Sequence, residues 1–240
     1  MSIFNAMRFH LVYYLFIFMG LTIKYVEAQS FVSVYSEAAN TAFTYFNKYN
    51  GKIVNVAKQH KIEPCLLFSI VAPEVSRYHA LRDAAETAMV EMFYVQLGTD
   101  YADFSIGAFQ MKMQFIESLE SEIKSKNCLK RFRYLCNYSV VGENEIRQQR
   151  VNRMKSVEWQ VHYLCAFYYY TLNYYQLGKK ADNADNLRFI ATVYNRGLKK
   201  PASEIERWMQ IKSFPAIGDG ENFTYGEVAV EFYKLLDRAF

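Results

Sequence analysis

The chain has 240 residues, enough for one sizeable domain with a full hydrophobic core. Its 52% hydrophobic content, rich in Tyr and Phe, excludes a disordered chain, and ten glycines with four prolines are few for an all-β protein and comfortable for a helical one. A formal charge of +4 suits an anionic envelope polymer, but the dense basic patches of nucleic-acid binders are lacking, so no nucleic-acid partner is expected.

Residues 1–28 read as a secretion signal. Arg8 supplies positive charge, and Leu11 to Ile23 is an apolar run too short to span a bilayer comfortably. Val26-Glu27-Ala28 offers small residues at the cleavage positions, so cleavage is expected before Gln29. No later apolar stretch has the length of a membrane helix. Residues 29–240 are therefore expected to form one helical domain, periplasmic or extracellular, with no membrane span. Export permits disulfides. Cys128 and Cys136 bracket a short basic, aromatic segment and are spaced to close a small loop, whereas Cys65 and Cys165 lie in apolar helical patterns and read as core thiols. With no C-x-x-C pair and four scattered His, no metal site is expected.

From residue 31 to 60, positions such as Phe31, Val34, Tyr35 and Ala38 recur at helical spacing, with an interruption expected at Asn50-Gly51. Pro64 fits the first turn of a new helix carrying Leu66, Leu67, Ile70 and Val71. Pro73 lacks an amide hydrogen and clashes with the preceding turn, so that helix should end or kink near Ala72, leaving Glu74 at a helix end. Leu81 to Leu97 reads as a helix stopped by Gly98, Thr99 to Gly107 as a loop, and Ala108 to Ile123 as helix again. Residues 125–142 read as irregular, and the basic segment Lys124 to Arg133 as solvated or as a contact for an anionic wall polymer. One long helix is expected over Glu143 to Leu177, because Val151, Met154, Val157, Val161 and Leu164 repeat at three- and four-residue steps. A further helix, Asp185 to Val193, ends in Tyr-Asn-Arg-Gly, and a last one starts near Thr224, where Thr224-Tyr-Gly-Glu227 has capping-box spacing.

Three short segments carry chemistry. Glu74 stands among Val71, Ala72, Val75 and Tyr78; an acid partly buried in such a setting can give a proton to a glycosidic oxygen. The bland alternative is a solvated glutamate or an ion-pair partner for Arg77 or Arg82. Ser105-Ile-Gly107-Ala-Phe-Gln110 places a glycine where another chain can approach closely and an amide that can bond a sugar. Tyr194-Asn195-Arg196-Gly197 ends a helix, with Gly197 or Asn195 suited to the left-handed closing position and Tyr194 able to turn its hydroxyl toward a carboxylate or substrate. Asp103, Glu86 and Glu91 are the candidates for a second carboxylate; Glu86 and Glu91, five residues apart, do not share a helical face well. The run Phe167-Tyr168-Tyr169-Tyr170, with Tyr174 and Tyr175, is spread around its helix and reads as core, with one or two Tyr left over to line a groove.

In this order, the motifs resemble those of the lytic transglycosylase and goose-type lysozyme superfamily over roughly residues 60–240. Glu74 matches that family's catalytic acid, Gly107-Ala-Phe-Gln110 its Gly-x-x-Gln motif, and Tyr194-Asn195-Arg-Gly197 its Tyr-Asn-x-Gly turn; Gly226-Glu227 through Tyr233 loosely echoes its closing helix. The resemblance implies an all-α, lysozyme-like single domain with a substrate groove. It also implies cleavage of the β-1,4 bond between N-acetylmuramic acid and N-acetylglucosamine in peptidoglycan, with a 1,6-anhydro product and no cofactor. Glu74 would be the acid and then the base, Tyr194 would orient it, and Ser105, Gly107, Gln110, Tyr194 and Asn195 would contact substrate. The alternative is a catalytically inactive glycan-binding or cell-envelope interaction protein that has kept the fold.

Overall fold

Burial of aromatic and aliphatic side chains along most of the chain builds a helical protein, and its computed structural model describes residues 29–101, 104–178, 184–215 and 220–239. The expected secretion signal, residues 1–28, lies outside the described residues, and so does Asp103. Phe31–Phe240 forms one compact unit. Among the described residues no helix is long and apolar enough to cross a membrane.

A first turn, α1 (Phe31–Val34), and a long helix, α2 (Ser36–Gln59), open the domain. Glu231 accepts from the Phe31 and Val32 amides at 2.9 and 3.1 Å, satisfying two orphan donors of α1. Contrary to expectation, α2 runs unbroken through Asn50-Gly51. A mid-helix glycine costs about 1 kcal/mol, and burial of Phe46, Ile53 and Val56 on the same helix outweighs it. Helix α3 (Pro64–Ser69) has Pro64 in its first turn and Glu63 as N-cap, accepting from Cys65 N at 2.8 Å and from Leu66 N. Pro73 cannot donate to the preceding turn, so the chain restarts as a five-residue helix, α4 (Ala72–Ser76), with Glu74 in its first turn. Helix α5 (Ala80–Leu97) closes at Gly98, where φ is +90°.

The segment expected to be a loop followed by helix contains a short hairpin instead. Strands β1 (Ser105–Ile106) and β2 (Met111–Lys112) pair antiparallel, Ser105 opposite Lys112 and Ile106 opposite Met111. Helix α6 (Met113–Ser125) starts only after them. Asn127–Cys136, read as irregular, is a 3₁₀ helix whose buried residues Leu129, Phe132 and Leu135 recur every third position, the period of that helix. Cys128 and Cys136 stand near its two ends as free thiols and do not close the expected loop. A 3₁₀ segment rises about 2 Å per residue, which carries its ends past disulfide reach. Cys65 and Cys165 are buried thiols.

The long helix expected over 143–177 is two helices, α7 (Glu143–Met154) and α8 (Val157–Tyr174), with Ser156 extended between them. The break frees the Met154 carbonyl, which the Gln160 amide takes at 2.6 Å. From α7, Arg150 enters the core: it donates to Glu120 Oε2 at 2.9 Å, to Glu117 Oε1 at 3.0 Å and to Tyr94, while Tyr163 donates to Glu120 Oε1 at 2.6 Å and Tyr138 also meets Glu120. Helix α8 runs through the centre with Val161, Leu164, Phe167 and Tyr170 buried. Helices α9 (Ala184–Arg196), α10 (Ala202–Trp208) and α11 (Tyr225–Ala239) complete the domain. Both capping-box bonds form at α11, Thr224 N to Glu227 Oε2 and Glu227 N to Thr224 Oγ1, each 3.1 Å. Gly226 lets α11 press on α9: a Cβ there would lie 2.7 Å from the Arg188 carbonyl oxygen.

Candidate active site

A cavity of about 720 Å³ opens between α4, α5, the hairpin and the end of α9. Glu74, Ser105, Gln110, Tyr194 and Asn195 all line it, as does Glu86. Three stretches that are far apart in the chain, 74–86, 104–118 and 194–200, thus meet at one place.

Glu74 is nearly buried, at 8% exposure. Its Oε2 accepts from Arg77 Nη2 at 2.8 Å. Arg77 is itself held: Nη1 donates to the Pro215 carbonyl at 3.1 Å, and the guanidinium lies 4.7 Å over the Phe214 ring. Glu74 is therefore both a cavity residue and an ion-pair partner. Arg77 engages Oε2 alone, and Oε1 is the carboxylate's second acceptor. Two tyrosines flank the acid. Burial holds the Tyr194 and Tyr225 hydroxyls well above the ordinary tyrosine value, and the Glu74 charge adds to the effect in both. Both therefore stay protonated and act as donors. Tyr225 donates to the Ile70 carbonyl at 3.2 Å, with the Glu74 amide against its oxygen. It was not anticipated from sequence, although it directly follows the Thr224 cap. The closing helix meets the acid through Tyr225, not through Glu227, which is spent on the capping box.

The Tyr194 hydroxyl does not reach toward Glu74. It donates to the Phe109 carbonyl at 2.6 Å, tying the end of α9 to the hairpin turn. Phe115 and Phe167 pack against its ring, with centroids 5.6 and 5.3 Å away. Gly197, at φ +95°, closes α9 with its amide on the Val193 carbonyl at 2.8 Å, and Asn195 is exposed on the cavity rim. The expected groove-lining Tyr of the 168–175 run do not line this cavity; its aromatic walls are Phe104, Phe115 and Tyr194.

Gln110 has a left-handed backbone, φ +51°, and folds its side chain back over the turn: Nε2 donates to the Gly107 carbonyl at 3.0 Å and Oε1 accepts from Ser105 Oγ at 2.6 Å. A primary amide has two N–H groups and two lone pairs, so one of each remains for a ligand. Ser105 Oγ also lies 3.2 Å from Glu86 Oε2, and Glu86 pairs with Arg82 at 2.7 Å. Gly107 belongs elsewhere. It is absent from this cavity and lines a second one, on the far side of the hairpin, of about 940 Å³. Its amide donates to Asp83 Oδ1 at 2.6 Å, and a Cβ on it would fall inside the Gln160 amide. The close approach read from sequence is real, but the approaching chain is Gln160 of this protein. Gln160 Oε1 also accepts from the Phe109 amide at 3.3 Å, so it supports the turn from beneath. Burial raises the Asp83 carboxyl, although the Gly107 amide opposes the shift. Glu91 lines the second cavity and pairs with Lys155, so it is not a partner of Glu74.

Among the described residues no group of three or more His, Cys, Asp or Glu is placed to hold a metal ion. No protein-family model matches the chain, and no curated protein or solved structure matches it significantly.

Proposed function

We propose that the protein is an exported, lysozyme-like enzyme that cleaves the β-1,4 bond between N-acetylmuramic acid and N-acetylglucosamine in peptidoglycan. The observation that carries the reading is the convergence of Glu74, Gln110 and Tyr194, each from a motif resembling one of the transglycosylase superfamily, on a single cavity. In this scheme the Glu74 carboxyl gives its proton to the glycosidic oxygen as the bond from the muramic C1 breaks. The carboxylate then takes the proton of the muramic 6-hydroxyl as that oxygen bonds to C1. The product is a 1,6-anhydro sugar, no water is consumed, and Glu74 ends as it began. One carboxylate serves both steps, while Glu86 braces Arg82 and the hairpin.

Arg77 fixes Oε2 and so aims the other oxygen. The spare N–H and lone pair of Gln110 suit an acetamido group. Tyr194 acts through the turn it anchors and is a positioning residue. The scheme uses no cofactor.

Digestion of purified peptidoglycan with residues 29–240, read by mass spectrometry of the soluble products, tests the proposal. Anhydro-muropeptides are expected. Reducing-end products would make the enzyme a hydrolase. Binding to the polymer without release would favour the inactive glycan-binding alternative, and neither binding nor release would contradict both readings.

A further inference from the structure

The second cavity, of about 940 Å³, has no part in the reaction above. It is a groove between α2 and α5, floored by the back of the hairpin at Ile106 and Gly107 and by Gln160. One row of α2 supplies Glu37, Thr41, Tyr45 and Tyr49 at four-residue steps, and α5 supplies Asp83, Ala84 and Ala88. Tyr78, from the turn between α4 and α5, adds a third ring. The Tyr45 ring centroid lies 4.6 Å from that of Tyr49 and 6.0 Å from that of Tyr78.

Beside these rings stands Asp83, which is half-buried. Its hydrogen-bond partners are neutral donors, the Gly107 amide at 2.6 Å and the Tyr78 hydroxyl at 3.3 Å. Glu86, whose charge also acts on it, is another acid. Among the described residues no Lys or Arg pairs with Asp83. Lys155 lines the same cavity but is taken by Glu91, and the Lys48 ammonium lies 5.2 Å from the Tyr49 ring centroid. Taking a carboxylate out of water without a counter-charge is costly. Two neutral donors also leave about half of its acceptor positions unused. A carboxylate so placed, next to three electron-rich rings, attracts a cation.

We infer that this cavity binds a primary ammonium group on an aliphatic stem, with the N–H groups on Asp83 and the charge against the tyrosine rings. A quaternary ammonium has no N–H to give the carboxylate. The short side chains of Ala84 and Ala88 leave room for the stem. A free diamine and a lysine side chain in a peptide carry the same chemistry. The inference is independent of the glycan reading, because among the described residues none lines both cavities.

Titration of the whole chain, followed by the NMR resonance of the Gly107 amide, tests this, since that amide bonds the proposed contact. The probes are pentylammonium, its neutral counterpart 1-pentanol, 1,5-diaminopentane and Nα-acetyl-lysine amide. Pentylammonium is expected to bind about ten-fold or more tighter than 1-pentanol, the gain of one charge-assisted contact, and to shift the Gly107 resonance. Asp83→Asn should remove that preference and leave 1-pentanol affinity unchanged. Lys48 is exposed, and Lys48→Gln removes a competing cation, so ammonium binding should tighten by about two- to three-fold. Tighter binding of 1,5-diaminopentane would point to a free diamine, and tighter binding of the lysine derivative to a peptide. Equal wild-type affinity for pentylammonium and 1-pentanol, an unmoved Gly107 resonance, or a preference that survives Asp83→Asn would overturn the site. If Asp83→Asn does not fold, the wild-type comparison and Lys48→Gln decide, and weaker ammonium binding in Lys48→Gln would overturn it.

Discussion

The hydroxyl of Tyr194 and the carbonyl of Phe109 are joined by a 2.6 Å hydrogen bond that spans 85 residues of chain. The bond sets the height of the turn that carries Gln110 relative to the helix that ends at the cavity. Tyr194→Phe keeps the ring against Phe115 and Phe167 and deletes only the donor. Stability should fall by about 1–2 kcal/mol, the cost of leaving a buried carbonyl without its partner. The rate of fragment release should fall further than the folded fraction does. Urea denaturation set beside initial rates separates the two.

Gly107→Ala meets two obstacles. The backbone is left-handed at φ +72°, and the new methyl would enter the space of the Gln160 amide. Left-handed strain of about 1–2 kcal/mol and overpacking of similar size predict a loss of about 2–4 kcal/mol. The loss is expected as a lowered urea midpoint with an unchanged denaturant slope. Shortening Gln160 in the same protein should relieve the clash only in part, because the Phe109 amide and Met154 carbonyl then lose their partner.

Arg150→Met should be among the most damaging single changes in the molecule. Glu120 is 2% exposed and depends on Arg150 for charge balance. Removing one partner of such a pair costs about 3–5 kcal/mol, which thermal denaturation reads directly. Replacing Glu120 with Gln as well should recover part of the loss, since the stranded charge is then gone.

Stability should also depend on His60. Burial, with the nearby His162 and Arg131 adding, lowers its pKa from 6.5 to about 4. Its Nε2 lies 3.2 Å from His162 Nδ1, and Tyr134 bridges the pair. The unfolded chain binds this proton near pH 6.5 and the folded chain only near 4, so between those values the unfolded state holds more protons. The contribution is complete above about 6.5 and is lost as pH falls toward 4, by on the order of 2–3 kcal/mol. His60→Leu should flatten that part of the stability curve, measured by urea denaturation from pH 7 down to 4.5.

Local signals in the sequence were legible and long-range ones were not. Pro64 at a helix start, Gly98 and Gly197 at helix ends, and the reciprocal bonds of Thr224 and Glu227 depend on residues within a turn of one another. The hairpin at 105–112 was missed because two-residue strands leave no alternating pattern to read. The break at Ser156 was missed because apolar spacing continues across it. Of the site, Glu74, Ser105, Gln110, Tyr194 and Asn195 were read from motifs and meet at one cavity, whereas Gly107 faces away from it. Tyr225, Gln160 and the anchoring of Arg77 by Pro215 and Phe214 arise from tertiary contacts between distant segments, and no local spacing announces them.

The proposed reaction stands on proton transfer by the Glu74 carboxyl. The most direct test sets wild type beside Glu74→Gln on purified peptidoglycan, with circular dichroism confirming that both are folded. Gln keeps the shape of the side chain and its place beside Arg77 but can neither give nor take the proton. This role for Glu74 requires anhydro-muropeptides from the wild type and a loss of at least about a hundred-fold in their rate of release from the variant. A folded Glu74→Gln protein that releases them at the wild-type rate would contradict it.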